Sequence, residues 1–254
     1  MKNNKALSKL RAGKAAVGMF IATSSTDMAE RVCTQDLDFV ILDWQHGEWT
    51  DDRISETLGR LINLETAPLV RIRSHDQGLV NWVLDMGALG VVVPMVENAN
   101  QAKAIVQTAY YPPLGTRSVG GNRLDRMADG DFAEYVAGAN DQILMVAMVE
   151  SKSAIGNAED IMATEGIGAV LIGPGDLMLD VKSKGLAEED HASLVIEVSK
   201  AASRTGGVAG IVCPTASEAA DRVSQGFRFL TVGSERVLAV QGTQQIIKTL
   251  DGYR

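Results

Sequence analysis

The chain has 254 residues, 46% of them hydrophobic and spread from end to end, enough to fill one large core without forcing a second domain. Its 24 Lys+Arg against 32 Asp+Glu give a net charge of −8, which argues against nucleic acid or an anionic membrane as a partner, since both select basic surfaces. Cys33 and Cys213 lie far apart without metal-ligand spacing, residues 1–16 lack the apolar core of a signal peptide, and no apolar run approaches transmembrane length, so free thiols in a cytoplasmic protein are expected.

One pattern recurs along the chain: a short apolar, β-branched run, a few Gly or polar residues, then a longer stretch with helical spacing. The apolar runs fall at 16–21, 39–42, 69–72, 90–94, 144–149, 169–172, 210–212 and 229–232. Their near-continuous hydrophobicity suits parallel strands buried on both faces. Helices are expected at 27–34, 52–64, 77–85, 100–109, 153–164, 188–205, 217–225 and 237–250, several opened by capping residues such as Asp51 or Asp52, Asn100, and Thr215 or Ser217. Strict alternation over eight units predicts a single (β/α)₈ TIM-barrel domain over 1–254. An open doubly wound sheet is the competing architecture, weakened by the lack of a G-x-G-x-x-G turn after the first strand. One connection breaks the short-loop rule: 110–141, with Tyr111-Pro112-Pro113-Leu114-Gly115-Thr116-Arg117 inside it and helical potential over 132–139, reads as a lid, an interface or a binding loop.

The chemistry of such a barrel lies at the C-terminal ends of its strands. There the sequence places Asp43-Trp44-Gln45-His46-Gly47, Arg71-Ile72-Arg73, Glu150, Gly173-Pro174-Gly175-Asp176, Cys213-Pro214 and Gly233-Ser234. Glu150 ends an apolar run where a carboxylate is costly to desolvate unless paired or metal-bound. With Asp176 it makes two hard oxygen ligands that suit a divalent ion such as Mg²⁺ or Mn²⁺. The alternative is that Glu150 pairs with an arginine and Asp176 caps the next helix. His46 is either a hydrogen-bonded rim residue or a base working near pH 7. Arg71 either balances Asp43 or stabilises a developing enolate oxygen. His75 and His191 lie in polar stretches and are set aside as exposed. No predicted strand contains a lysine, and Lys152 sits between serines at a helix start, which counts against an imine mechanism.

At these residues the chain resembles the HpcH/HpaI family of metal-dependent class II aldolases, which act on pyruvate enolates. The matching stretches are Asp43-x-x-His46-Gly47, Val70-Arg71, Leu84-Asp85-x-Gly87-Ala88-x-Gly90, Val93-Pro94, Tyr111-Pro112-Pro113-x-Gly115-x-Arg117, Glu150, and Ile172-Gly173-Pro174-x-Asp176-Leu177. The resemblance implies Glu150 and Asp176 as ligands of Mg²⁺, Mn²⁺ or Co²⁺, with a 2-keto acid chelating that ion. It implies Arg71 at the enolate oxygen, and His46 moving the proton through water, oriented by Asp85 of a neighbouring subunit. Backbone N–H groups around Gly175, beside Pro174, would hold the substrate carboxylate. It further implies reversible cleavage of 4-hydroxy-2-keto acids to pyruvate and an aldehyde. The assembly it implies is a hexamer, a trimer of dimers, in which the helix at 237–250 crosses between subunits.

Three positions depart from the family pattern: Met148 where many members have Gln, Gln45 where others have Glu, and Met178 where Ser is common. Met148 removes a polar contact beside the keto acid and leaves room for a different donor. A decarboxylase of oxaloacetate-like acids and a CoA-ester lyase are alternatives on the same scaffold, the latter lacking a clear Lys/Arg cluster for nucleotide phosphates. A non-catalytic metal-binding barrel is the alternative from another class; it has no use for a base such as His46. Aldehyde choice is expected to rest on Trp49, the 114–123 stretch and neighbouring subunits.

Overall fold

The computed structural model describes residues 1–121 and 123–253. After a short helix α1 (Lys5–Arg11), the chain alternates β1 (Ala16–Ile21), α2 (Thr26–Cys33), β2 (Phe39–Asp43), α3 (Asp51–Leu61), β3 (Ala67–Arg71), α4 (Gln77–Asp85), β4 (Gly90–Val93) and α5 (Ala99–Ala109). The second half holds α6 (Phe132–Gln142), β5 (Leu144–Val149), α7 (Lys152–Gly156), α8 (Ala158–Met162), β6 (Ile167–Ile172), α9 (Pro174–Ser183), α10 (Glu188–Thr205), β7 (Ala209–Cys213), α11 (Ala216–Ser224), β8 (Phe229–Ser234) and α12 (Glu235–Leu250). The eight strands pair in parallel in sequence order, and β8 closes on β1. This is the expected (β/α)₈ barrel.

Close packing inside the barrel explains one of its glycines. Phe39 and Phe229 stack with ring centroids 4.3 Å apart, and Gly18, opposite Phe39 in register, has room for nothing larger. A Cβ there would lie 2.5 Å from the Phe39 ring. Large and small residues thus alternate across facing strands, as a filled barrel requires.

Several element ends differ from expectation, each for a local reason. Thr50 and Asn98 are the caps, one or two residues before those expected, because their side chains accept the N–H of Arg53 and Gln101. The helix expected at 153–164 is two short ones meeting at Asn157, whose side chain donates to the Glu97 carbonyl at 2.8 Å. Helix α9 was not expected; its Gly-Pro-Gly start reads as a turn, although Pro174 at the first helical position is a start signal.

Helix α1 was missed too. Asn4 is its buried N-cap, accepting from Leu7 N and donating to the carbonyls of Leu89 and Gln142, each at 2.9 Å. Those carbonyls just precede β4 and β5, so α1 plugs the N-terminal end of the barrel with Ala6, Leu7 and Leu10. The connection 110–141 runs from α5 to β5, and so lies at that same end. Met127 accepts the N–H of Lys2, and Arg123 donates to the Ser55 carbonyl in the middle of α3. It is therefore no lid over the mouth of its own barrel.

Among the described residues no helix is long and apolar enough to cross a membrane. Cys33 and Cys213 are both buried and free.

Candidate active site

The C-terminal ends of β2 and β3 set the first feature of the mouth. Asp43 and Arg71 are register partners on adjacent strands, and both are buried. Arg71 Nε and Nη2 donate to the two Asp43 oxygens at 2.8 and 2.7 Å, a bidentate pair. Its guanidinium lies over the Phe20 ring from β1, 4.7 Å from the centroid. Nη1 is left facing the Met148 sulfur at 4.0 Å. The pairing of Arg71 with Asp43 therefore occurs, and it leaves one guanidinium edge turned toward Met148 of β5.

Glu150 follows β5 and is buried, with no salt bridge among the described residues. The arginine that could have neutralised it is committed to Asp43. Met95, in a left-handed backbone conformation at φ 53°, turns its N–H onto Glu150 Oε2 at 2.8 Å. Gly173 lies next to Glu150 across β5 and β6, where a Cβ would come within 2.4 Å of Oε1. Burial pushes the Glu150 carboxyl above the ordinary glutamate range, and the carboxyl of Asp176, within hydrogen-bonding reach, pushes it further; the Met95 amide and Arg71 pull the other way. Asp176 sits in the first turn of α9 without capping it, since no side chain caps that helix. Among the described residues Glu150 pairs with no arginine, and Asp176 does not cap α9.

Around these two carboxylates lies a cavity of about 290 Å³, lined by Gln45, His46, Met95, Glu97, Glu150, Ser151, Asp176 and Asp180. Four of these are acidic and none is lysine or arginine. Ser151 donates to both oxygens of Glu97 at 2.9 Å, and Asp180 pairs with Lys184 on the outer side. Among the described residues no cluster of three or more His, Cys, Asp or Glu forms a closed metal cage. Glu150 and Asp176 instead fit an open divalent site, with two hard oxygens and positions left for water and substrate. An anionic keto acid would be repelled from so acidic a cavity until a cation offset it.

His46 is exposed on the cavity wall, and its backbone N–H donates to Asp43 Oδ1 at 3.2 Å. Pro174 and Gly175 open α9, whose first N–H groups have no intrahelical partners. Met148 is buried beside Arg71. Asp85 is the one expected site residue that the single chain does not bring here. It ends α4 at the opposite end of the barrel, where Arg117 binds it at 2.7 Å; Arg117 is buried against Tyr111 and Tyr135. Trp49 is buried, with its indole N–H given to the Ile21 carbonyl at 2.8 Å.

Sequence reasoning missed three contributors. The Met95 amide was invisible because its value lies in a backbone angle. His75 and His191 were set aside, yet their Nε2 atoms reach the carbonyls of Pro94 at 2.5 Å and Pro174 at 3.1 Å, buttressing both rim segments. Only their spacing from the rim prolines could have signalled this.

Fold and rim together define a (β/α)₈-barrel enzyme of the carbon–carbon lyase class. The HpcH/HpaI aldolase/citrate lyase family model matches residues 16–241, and the chain belongs to that family. It is 34% identical over 238 residues to a 4-hydroxy-2-oxovalerate aldolase of Novosphingobium aromaticivorans, covering 92% of this chain and 89% of that one. It is 30% identical over 231 residues to a 2-keto-3-deoxy-L-rhamnonate aldolase of Escherichia coli, covering 91% and 86%. The crystal structure of an HpcH/HpaI aldolase from Desulfitobacterium hafniense superposes with a TM-score of 0.87 at 29% identity, covering 97% of this chain and 96% of that chain.

Proposed function

We propose that the enzyme catalyses reversible aldol cleavage of 4-hydroxy-2-keto acids to pyruvate, or a close 2-keto analogue, and an aldehyde. The observation that carries this reading is the convergence of the Glu150 and Asp176 carboxylates beside the Asp43-locked Arg71, with no lysine lining the cavity. The substrates named for the two aldolase relatives agree with it.

A divalent cation, Mg²⁺, Mn²⁺ or Co²⁺, held by Glu150 and Asp176 would polarise the keto group and offset the acidic cavity. Arg71 Nη1 donates to the keto oxygen as negative charge develops there. His46 takes the proton of the 4-hydroxyl, directly or through a water. The C3–C4 bond breaks, its electrons pass into the enolate of the keto acid, and the aldehyde departs. A proton returned to C3 completes the 2-keto product. The N–H groups around Gly175, beside Pro174, hold the substrate carboxylate, and Met148 bounds the donor methyl. Asp85, remote within one chain, serves a neighbouring copy by orienting its His46.

The assembly we propose is a cytoplasmic homohexamer, a trimer of dimers. Supporting it is α12, exposed from Arg236 onward, with Leu238, Val240, Ile246, Ile247 and Leu250 all open to solvent.

The test is turnover of a 4-hydroxy-2-keto acid with added Mn²⁺, following pyruvate release through lactate dehydrogenase. Cation-dependent release that chelator abolishes is expected; chelator-insensitive turnover would defeat this mechanism.

A further inference from the structure

Between Arg71 at the end of β3 and the start of α4 the chain runs through Ile72-Arg73-Ser74-His75-Asp76. Asp76 caps α4 by accepting the Leu79 N–H at 3.2 Å, which fixes the backbone of the residue just before it. That residue, His75, is exposed, yet it places Nε2 2.5 Å from the Pro94 carbonyl oxygen beyond β4. A carbonyl only accepts, so Nε2 carries the hydrogen and His75 is the donor.

Pro94 and Met95 share one peptide unit. Its C=O takes the His75 hydrogen, and its N–H donates to Glu150 Oε2 at 2.8 Å. The unit is trans, so the two groups point in opposite directions. A donor behind the oxygen therefore aims the amide hydrogen forward at the carboxylate, and each bond polarises the other.

This peptide has reason to turn away. Met95 sits at φ 53°, a left-handed conformation that is unfavourable for a residue with a Cβ. Rotating the Pro94–Met95 unit about its flanking bonds would return φ to negative values and take the N–H off Glu150. Beyond it the Val96 N–H is held by the Met148 carbonyl at 2.8 Å, so the rotation is local to this one unit. Burial pushes the Glu150 carboxyl up, and the Met95 amide is the hydrogen bond that works against it. What keeps that amide in place therefore matters to the carboxylate.

We propose that His75 is a positioning residue for the cation site: it locks the Pro94–Met95 peptide in the orientation that holds the Glu150 carboxylate ready for a divalent ion. This rests on the reading of Glu150 as a cation ligand. His75 does not line the acidic cavity and acts only through the peptide. A different side chain that delivers an N–H to the Pro94 carbonyl should serve in its place.

The experiment sets Mn²⁺ binding by calorimetry beside amide hydrogen exchange in the cation-free protein, for His75→Phe, His75→Ala and His75→Gln. Phenylalanine keeps a flat ring without a donor, alanine removes the ring, and glutamine restores an N–H at similar reach. All three change an exposed loop position and should fold, as circular dichroism checks. His75→Phe and His75→Ala should each weaken Mn²⁺ binding by about tenfold, the low end for losing an outer partner of a metal ligand. Both should speed exchange in the segment that holds Met95. His75→Gln should recover most of the affinity and the slow exchange. Native affinity in His75→Phe and His75→Ala, a loss as large in His75→Gln, or a loss without faster exchange at Met95 overturns this proposal alone, provided Glu150→Ala has lost the cation. Mn²⁺ bound by Glu150→Ala as tightly as by the native protein, or by neither, overturns the ligand reading and this proposal with it.

Discussion

Arg71 and Asp43 are register partners on neighbouring strands, joined by two hydrogen bonds of 2.8 and 2.7 Å, and that pairing leaves the third guanidinium nitrogen outside it. Two of the three nitrogens are fixed in the free protein, so in the mechanism we propose the third is preorganised for charge that appears only as the carbon–carbon bond breaks.

Asp43→Asn should therefore impair catalysis although Asp43 touches no reacting atom. The amide keeps the shape but cannot accept two charge-assisted bonds, and Arg71 swings out of line. A fall in kcat of about 10² is expected, typical of a lost oxyanion donor. Arg71→Lys should not rescue it, because lysine cannot make the fork. Circular dichroism should show a folded but less stable barrel, since a buried charge has lost its partner. An Asp43→Asn enzyme with native kcat removes the positioning role.

The raised Glu150 carboxyl has a consequence for pH. In the cation-free protein the folded state holds a proton that the unfolded chain has already released, so stability falls as pH rises from the ordinary glutamate value through the raised one. Glu150→Gln should flatten that fall. The same proton competes with a cation, so Mn²⁺ affinity by calorimetry should tighten with pH across this window and then level off. Glu150→Ala and Asp176→Ala should each abolish binding with the barrel still folded. Unchanged Mn²⁺ affinity in both would sink the ligand assignment.

The barrel was legible because parallel strands buried on both faces read as apolar runs, and eight of them recur. The rim residues were legible because each lies at or just after the end of such a run. What stayed hidden was geometry without a sequence signature: the left-handed turn of Met95, the bond from His191 to Pro174, and the Asn4 cap beneath the barrel. The place of 110–141 was deducible all the same. A segment joining helix to strand must lie at the N-terminal end, and composition drew attention away from that topological fact.

Helix α12 provides the assembly prediction. Ile246 and Ile247 are 60% and 43% exposed on a helix with no buried residue beyond its first turn. An apolar helix of this kind needs a surface to cover. Ile246→Glu with Ile247→Glu should reduce the mass by light scattering from a hexamer toward smaller species. It should also lower activity, because separated subunits lose the partner's Asp85. A monomer mass for the native chain across a broad concentration range would defeat both expectations.

The chemistry itself has a test that needs no aldehyde. If Arg71 and the Glu150–Asp176 site favour the enolate, the enzyme should exchange the methyl protons of pyruvate with deuterated water. Exchange should require a divalent ion and survive borohydride, since no lysine lines the cavity to form an imine. Arg71→Ala should slow it by about 10²–10³, a loss that proton NMR resolves. His46→Ala should slow it too, because His46 sits on the cavity wall where a proton must be passed. Met148 sharpens the outcome: its buried thioether lies 4.0 Å from Arg71 Nη1, and it offers the keto acid no strong hydrogen bond. Met148→Gln should lower KM for pyruvate, whereas the native enzyme should exchange a 2-keto acid with a longer alkyl chain at least as readily. Cation-dependent exchange with none of these keto acids would falsify the aldolase reading.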